Sequence, residues 1–435
     1  MSASPAPQIR LNSPFVPILF LLSAILVLID SYRGWIILLV VFGGLWGSSY
    51  FWARSLARNL HIKREIRFGW AQVGDHLEER FTLINRSRLP ALWVEVEGQT
   101  NMPNYWANQV RSVAPQAEAR WYIRGRCTRR GLYTLGPTTL RASDPFHIYA
   151  VHLHDSATTT LLVTPPVVPL PSIQVAPGGK AGKGAPRVDA PERTVSSASV
   201  REYITGDSMR WVHWPTSARQ NELFVRIFEG TPAGDWWIVL DLDQNVQLGE
   251  GENATHEHGI ILAASLADKG MRSGRSVGLA TYGEQLVWHR AGMSDAHKWD
   301  ILRSLALVQP GDVPLAKLLE YARPSLRKDA SLILITPAIT GEWLASLLAV
   351  RRLGVIATVL LFDTPSFGGI EEPSNMLRDL SSQGIAHKII AKDFLAREGA
   401  QPRASDWFWQ APASQRFAPV KLHSRSNWPE IEGVS

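Results

Sequence analysis

Trp236-Trp237-Ile238-Val239-Leu240-Asp241-Leu242-Asp243-Gln244-Asn245 is an unbroken apolar run that ends abruptly in acids and amides. A run without polar alternation reads as a strand buried on both faces. Working outward, residues 277–281, 332–336 and 355–362 are further apolar strands. Helical periodicity fills the gaps at 257–272, 296–307, 315–322, 342–353 and 374–383. Strands alternating with helices predict an α/β region whose mostly parallel sheet is covered on both faces. Ligands of such sheets sit beyond the carboxyl ends of the strands, which directs attention to Asp241, Asp243 and Asn245.

At the other end of the chain, residues 15–29 and 35–51 are two nearly unbroken apolar runs. Each is near the lower limit of the roughly 17–25 residues that span a bilayer, and flanking residues extend them. They predict two transmembrane helices, about 15–30 and 34–52, within a membrane anchor of residues 1–58. Only Asp30-Ser31-Tyr32-Arg33-Gly34 lies between them, so the pair forms an antiparallel hairpin. Arg54, Arg58, Lys63, Arg64 and Arg67 follow the second run, against Arg33 alone in the connection. Positive residues favour the cytoplasmic side, which predicts a multi-pass protein of the cell membrane with its soluble body in the cytoplasm. A cleaved signal peptide is the competing reading of the first run. Its leading region carries only Arg10, and a second apolar run follows at once, which favours the hairpin.

Residues 60–165 break into short strand-like pieces, among them 79–84, 92–97, 120–124 and 160–163, separated by turn residues. This spacing predicts a small antiparallel β-sandwich of fibronectin or immunoglobulin type. His147, His152 and His154 are close in sequence, but a strand places only His152 and His154 on one face, as a surface pair. Residues 166–195 are rich in Pro and Gly and predict a flexible linker. Gly178 to Gly184 lacks the order of a phosphate-binding loop. His256-Glu257-His258 puts its two imidazoles on different faces of a helix, against a zinc reading. Residues 396–435 show no periodicity and read as a tail.

The whole chain has 435 residues with a net charge of +6, and no basic stripe interleaved with stacking aromatics, so nucleic acid is not an expected partner. Cys127 is its single cysteine, which excludes an internal disulfide and a cysteine-based zinc cluster.

Ahead of the first buried strand, within the segment 196–395, stands a dense polar and aromatic stretch. It reads Arg201-Glu202-Tyr203, Gly206-Asp207, Arg210, His213-Trp214 and Ser217-Ala218-Arg219. Gly206-Asp207 is a turn, and Glu202 and Asp207 are natural partners for Arg201, Arg210 or Arg219. One reading is a salt-bridged structural clasp. The other is a catalytic or ligand site using His213, possible for a hydrolase. No nucleophile or second base stands at readable spacing from His213, so the clasp is favoured and no enzyme is expected.

This stretch, with the earlier Arg129-Arg130-Gly131 and Asp144-Pro145-Phe146 corners, closely resembles the domain of unknown function 58 family. Those are membrane proteins often associated with MoxR-type AAA+ ATPases. The resemblance runs roughly from residue 10 to 395, with His213 standing where the family often has an aspartate. It implies a helical hairpin, a β-rich region, the signature and a von Willebrand factor A-like domain. Asp241-Leu242-Asp243-Gln244-Asn245 then resembles the Asp-x-Ser-x-Ser metal loop of such domains, which suits a hard cation such as Mg²⁺. The family's distal threonine should fall near Gly311-Asp312-Val313, and its distal aspartate after residues 332–335, where Thr336-Pro337 stands. Two ligands are thus absent, and a turn retained without metal is the competing reading. The functional expectation is a membrane-anchored, non-catalytic protein-binding adaptor, with a MoxR-type ATPase as the implied partner. A metal-dependent ligand-binding module is the alternative.

Overall fold

A computed structural model of the chain describes residues 7–30, 32–176, 197–203, 212–220, 222–228, 234–328, 330–397, 407–410 and 418–421. The chain divides into two compact units, Met1–Pro165 and Pro166–Ser435. Taken together they are rich in sheet.

In the first unit the order is β1 (Gln8–Leu11), α1 (Phe15–Ile29), α2 (Arg33–Asn59), β2 (Leu60–Ile66), β3 (Trp70–Gln72) and β4 (His76–Asn85), then β5 (Ala91–Thr100), β6 (Gln109–Val113), β7 (Ala117–Arg126), β8 (Gly131–Ser143), β9 (Tyr149–Asp155) and β10 (Thr159–Thr164). Among the described residues one helix, α2, is long and apolar enough to cross a membrane; α1 is apolar but shorter. The helices pack together, with Phe20 against Trp46 at 5.5 Å and over Gly43.

α2 continues to Asn59, past the expected end near residue 52. The reason is packing. Ala53, Leu56, Ala57 and Leu60 are buried against the strands, while Arg54 and Arg58 stay outside. The N-terminal segment also belongs to the β-rich unit, because β1 pairs with β9. Residues 1–58 are therefore not an anchor separate from 60–165.

One sheet runs β1-β9-β8-β10-β3, with β5 joined through β8 and β6 through β5; a second is β2-β4-β7. Strand alternation turns Leu77, Phe81 and Leu83 of β4 inward, where they meet Val94 and Val96 of β5 and Leu135 and Leu140 of β8. The expectation of purely antiparallel strands fails at one pair, since β3 runs parallel to β10. Inside the core Glu79 is fully buried. Arg64 donates to both of its oxygens, at 3.0 Å and 2.9 Å, and the Tyr105 hydroxyl donates to Oε2 at 2.5 Å.

The second unit holds β11 (Ser197–Glu202), α3 (Trp214–Gln220) and β12 (Phe224–Phe228). Then come β13 (Trp236–Leu240), α4 (Thr255–Arg272), β14 (Val277–Tyr282), β15 (Leu286–Gly292), α5 (Asp295–Leu307), α6 (Leu315–Ala322), β16 (Ser331–Thr336), α7 (Glu342–Arg351), β17 (Ile356–Phe362), α8 (Ser374–Ser382) and β18 (Ala386–Ile390). The sheet order is β15-β14-β13-β16-β17-β18. It is mixed: β15 is antiparallel to β14, and the other neighbours are parallel. Ile238, Leu240, Ile333 and Ile335 face α4 and α5 on one side. Trp237, Val239, Leu332 and Leu334 face α6, α7 and α8 on the other. β13 is thus covered on both faces, as its unbroken apolar run requires.

Two expectations need correction here. The predicted linker begins later than 166, because Val168, Leu170 and Ile173 are buried in the second unit's core. Ala176 N–H donates to Thr358 Oγ1 at 3.1 Å, and Ser331 Oγ to the Ala176 carbonyl at 2.9 Å. Residues 177–195, with the Gly/Lys cluster, lie outside the described residues. The predicted tail contains an antiparallel pair, Trp407–Gln410 with Ala418–Lys421.

Candidate functional site

The carboxyl end of β13 leads directly into Asp241, and the register places Thr336, the last residue of β16, beside it. Thr336 Oγ1 donates to Asp241 Oδ2 at 2.6 Å, and the backbone N–H of Asp243 donates to Oδ1 at 3.1 Å. Asp243 repeats the device one step on. Its Oδ1 accepts from the Asn245 N–H at 3.0 Å and from Asn245 Nδ2 at 2.8 Å. Gln247 Nε2 donates to the carbonyls of Asp241, at 3.1 Å, and Asp243, at 3.3 Å. Thr255 at the start of α4 holds Gln247 in turn, donating to Oε1 at 2.8 Å. The loop is closed on itself by hydrogen bonds.

A second segment lies against it. Gln244 N–H donates to the Gly311 carbonyl at 2.7 Å, and Gly311 N–H to the Leu242 carbonyl at 2.9 Å. The Gln244 side-chain amide donates to Asp312 Oδ1. Glycine is required at 311, because a Cβ there would lie 2.2 Å from the backbone of Gly283. Asp241 and Asp243 are buried, whereas Gln244, Asn245, Asp312 and Glu284 are exposed around them. Burial pushes the Asp241 carboxyl up to about 6, with the Asp243 charge adding to the rise and the Thr336 and Asp243 hydrogen bonds opposing it.

As the side chains stand, a divalent cation at this loop would compete with the protein's own donors. Both Asp241 oxygens and Oδ1 of Asp243 already accept from the protein's own donors. Among the described residues no three His, Cys, Asp or Glu side chains converge. Thr336 and Asp312 stand where the resemblance expects the distal ligands, and the structure uses both as hydrogen-bond partners of the loop. The hydrogen-bonding roles of Gln244, Gln247 and Thr336 are not legible in the sequence. The side-by-side ends of β13 and β16 reveal Thr336, the bonds to Gly311 and Asp312 reveal Gln244, and the bonds to the loop carbonyls and Thr255 reveal Gln247.

The signature forms a different assembly. β11 and β12 pair antiparallel, with Arg201 opposite Val225 and Glu202 opposite Phe224. Tyr203 N–H donates to the Leu223 carbonyl at 2.7 Å, and His213 N–H to the Phe224 carbonyl at 2.8 Å. Buried Ser217 ties α3 to β12, accepting from the Phe224 N–H at 2.9 Å and donating to the His213 carbonyl at 3.1 Å. His213 Nδ1 lies 2.7 Å from Thr216 Oγ1, a local contact one helical turn away. Trp214 and Arg219 are exposed. Gly206, Asp207, Arg210 and the Arg201 side chain lie outside the described residues.

Residues 199–365 match the family described as Protein of unknown function DUF58. They carry a DUF58 region. The match takes in the signature and the sheet as far as β17, a narrower span than the expected 10–395. An uncharacterized protein of Bacillus subtilis, YeaD, is 26% identical over 151 residues, which is 34% of this chain and 36% of that relative. The match thus spans about a third of the relative's length. Among solved structures, proximal thread matrix protein 1 of the mussel byssus aligns with 18% identity and a TM-score of 0.27, over 38% of this chain and 43% of that one. The CARDB domain of a Pyrococcus furiosus protein aligns with 16% identity and a TM-score of 0.19, over 24% of this chain and 94% of its own. Scores this low do not establish a shared fold.

Proposed function

We propose that this DUF58-region protein is a membrane-anchored, non-catalytic binding module. In this reading α1 and α2 form a transmembrane hairpin, and the second unit is a von Willebrand factor A-like domain on the cytoplasmic side. The Arg54 and Arg58 charges beyond the apolar helices support that orientation. The loops at the carboxyl ends of β13 and β16 meet the partner. One observation carries the proposal: the Asp241–Gln247 loop is locked by internal hydrogen bonds while Gln244, Asn245, Asp312 and Glu284 face outward. A rigid scaffold presenting an exposed acidic and amide rim suits a basic protein surface. The DUF58 resemblance makes a MoxR-type AAA+ ATPase the partner to test.

The experiment is crosslinking of the intact protein in membranes, followed by mass spectrometry of what co-purifies, with and without Mg²⁺ and ATP. Recovery of an ATPase crosslinked near Gln244 or Asp312 is the expected result. Failure to recover any protein partner under all conditions overturns the adaptor reading. The alternating oxygens of Asp241, Asp243 and Asn245 are what favours the second reading, metal-dependent ligand binding. It requires that chelation alone abolish partner capture; the locked loop leads us to expect capture to persist.

A further inference from the structure

The end of the β-rich unit from which α1 and α2 emerge is defined by register. Asn85 pairs with Ala117, Ala91 with Val113, Ser143 with Ala150 and Leu11 with Tyr149, so the turns 86–90, 114–116 and 144–148 share that end. Both helices are fixed to it without slack. Asn12 and Ser13 N–H groups donate to the Ile148 carbonyl at 2.7 Å and 3.2 Å, and α1 starts at Phe15. Trp46 Nε1 of α2 donates to the Tyr149 hydroxyl at 2.7 Å, Tyr50 packs on the Tyr149 ring at 5.6 Å, and Trp52 Nε1 donates to the Pro90 carbonyl at 3.1 Å.

The lengths then decide where this end must sit. The 15 residues of α1 rise about 22 Å. The hydrocarbon core of a bilayer is about 30 Å thick. A helix rooted at the turns falls short by about 8 Å, so the turns themselves must approach the lipid. Their chemistry suits that layer. Phe146 is 56% exposed at the tip of the 144–148 turn, and Leu11, 49% exposed, lies beside it. The turn is rigid: Asp144 is buried and accepts from the N–H groups of Phe146 at 2.9 Å and Tyr149 at 2.6 Å. Arg86 and Arg88 stand exposed in the neighbouring turn, and exposed Arg54 of α2 donates to the Tyr50 hydroxyl at 3.2 Å.

Resting on the membrane reading above, we infer that this end of the β-rich unit is seated in the headgroup layer of a bilayer containing anionic lipid. The Phe146 ring lies at the level of the upper acyl chains. Arg86, Arg88 and Arg54 contact lipid phosphates, as arginines do at an interface. The unit is therefore pressed onto the membrane and does not hang from it on a tether.

The test uses the full chain reconstituted in phosphatidylcholine vesicles with or without phosphatidylglycerol, and spin labels on introduced cysteines. Cys127 does not compete, because it is buried and its thiol is pushed up to about 12, chiefly by burial and also by the Asp75 charge. Labels replace exposed residues in Phe146→Cys, Val40→Cys within α2, and Tyr122→Cys on β7 as the aqueous reference. The expected result is that the collision ratio of oxygen to a nickel chelate at 146 and 40 exceeds that at 122 several-fold. A lipid value at 40 with an aqueous value at 146 overturns this inference and leaves the membrane reading intact. An aqueous value at 40 overturns both. With phosphatidylglycerol, Arg86→Glu/Arg88→Glu is expected to return the 146 label to its position in neutral vesicles; an unchanged label overturns the role given to the arginines.

Discussion

Glu79 in the β-rich unit and Asp241 in the α/β unit are both deeply buried carboxylates, and the two are handled differently. In the β-rich unit Glu79 meets the Arg64 guanidinium through two hydrogen bonds and the Tyr105 hydroxyl through a third. In the α/β unit Asp241 meets a hydroxyl and a backbone N–H, with no cation beside it in the described contacts. The Arg64 guanidinium pairs with Glu79 where it stands, and burial together with the bond to Glu79 drives the Tyr105 hydroxyl far above its ordinary pKa. Asp241 keeps an uncompensated charge, which burial resists. The contrast separates a finished internal joint from a strained acid held behind an exposed loop face. A partner bringing a cation near Asp241 would gain from the second and nothing from the first.

The largest effect that would break this contrast belongs to Glu79. Removing the carboxylate in Glu79→Ala leaves the buried Arg64 guanidinium without its counter-charge, at a cost of about 3–5 kcal/mol. Chemical denaturation of the detergent-solubilised chain should show that loss; a cost under about 1 kcal/mol would mean the joint is dispensable.

Asp241 comes next. Raising its carboxyl from the ordinary 3.8 to about 6 costs the ionised folded state about 3 kcal/mol. The folded form holds the proton more tightly than the unfolded form, so this cost is full above pH 6 and disappears as pH falls to about 4. Relative to Asp241→Asn, the wild-type chain should gain up to about 3 kcal/mol between pH 7 and 4. Parallel pH profiles of the two unfolding midpoints would show that Asp241 is as well compensated as Glu79.

The smallest effect sharpens the reading of the signature. Ser217→Ala removes the hydroxyl that joins α3 to β12, and should cost about 1–2 kcal/mol. Amide hydrogen exchange at Phe224 should accelerate. Unaltered exchange there would detach Ser217 from the clasp.

How far all this was legible in the chain varies with range. Buried strands and their covering helices are local patterns, so β13, β16 and β17 stand out as apolar runs. The edge strands β15 and β18 escaped because they lack such a run: Arg290 and Lys388 interrupt them. Val168, Leu170 and Ile173 were hidden among prolines that also suit a linker. Thr336 looked like a missing aspartate, since its bond to Asp241 spans 95 positions and exists only through the β13–β16 register. The Arg64–Glu79–Tyr105 joint is equally non-local, depending on how β2 lies against β4. Asp241 itself was readable, because a strand's carboxyl end is fixed by the run before it.

The chain leaves the β-rich unit from β1 into α1 and re-enters it from α2 into β2, with three residues, Asn12 to Pro14, at one foot and none at the other. A single helix joined to a domain acts as a swivel, but a segment planted at both feet acts as a staple. It transmits torque. Any tilt or rotation imposed on the helical pair turns the β-rich unit with it, so the heading of the one is set by the other.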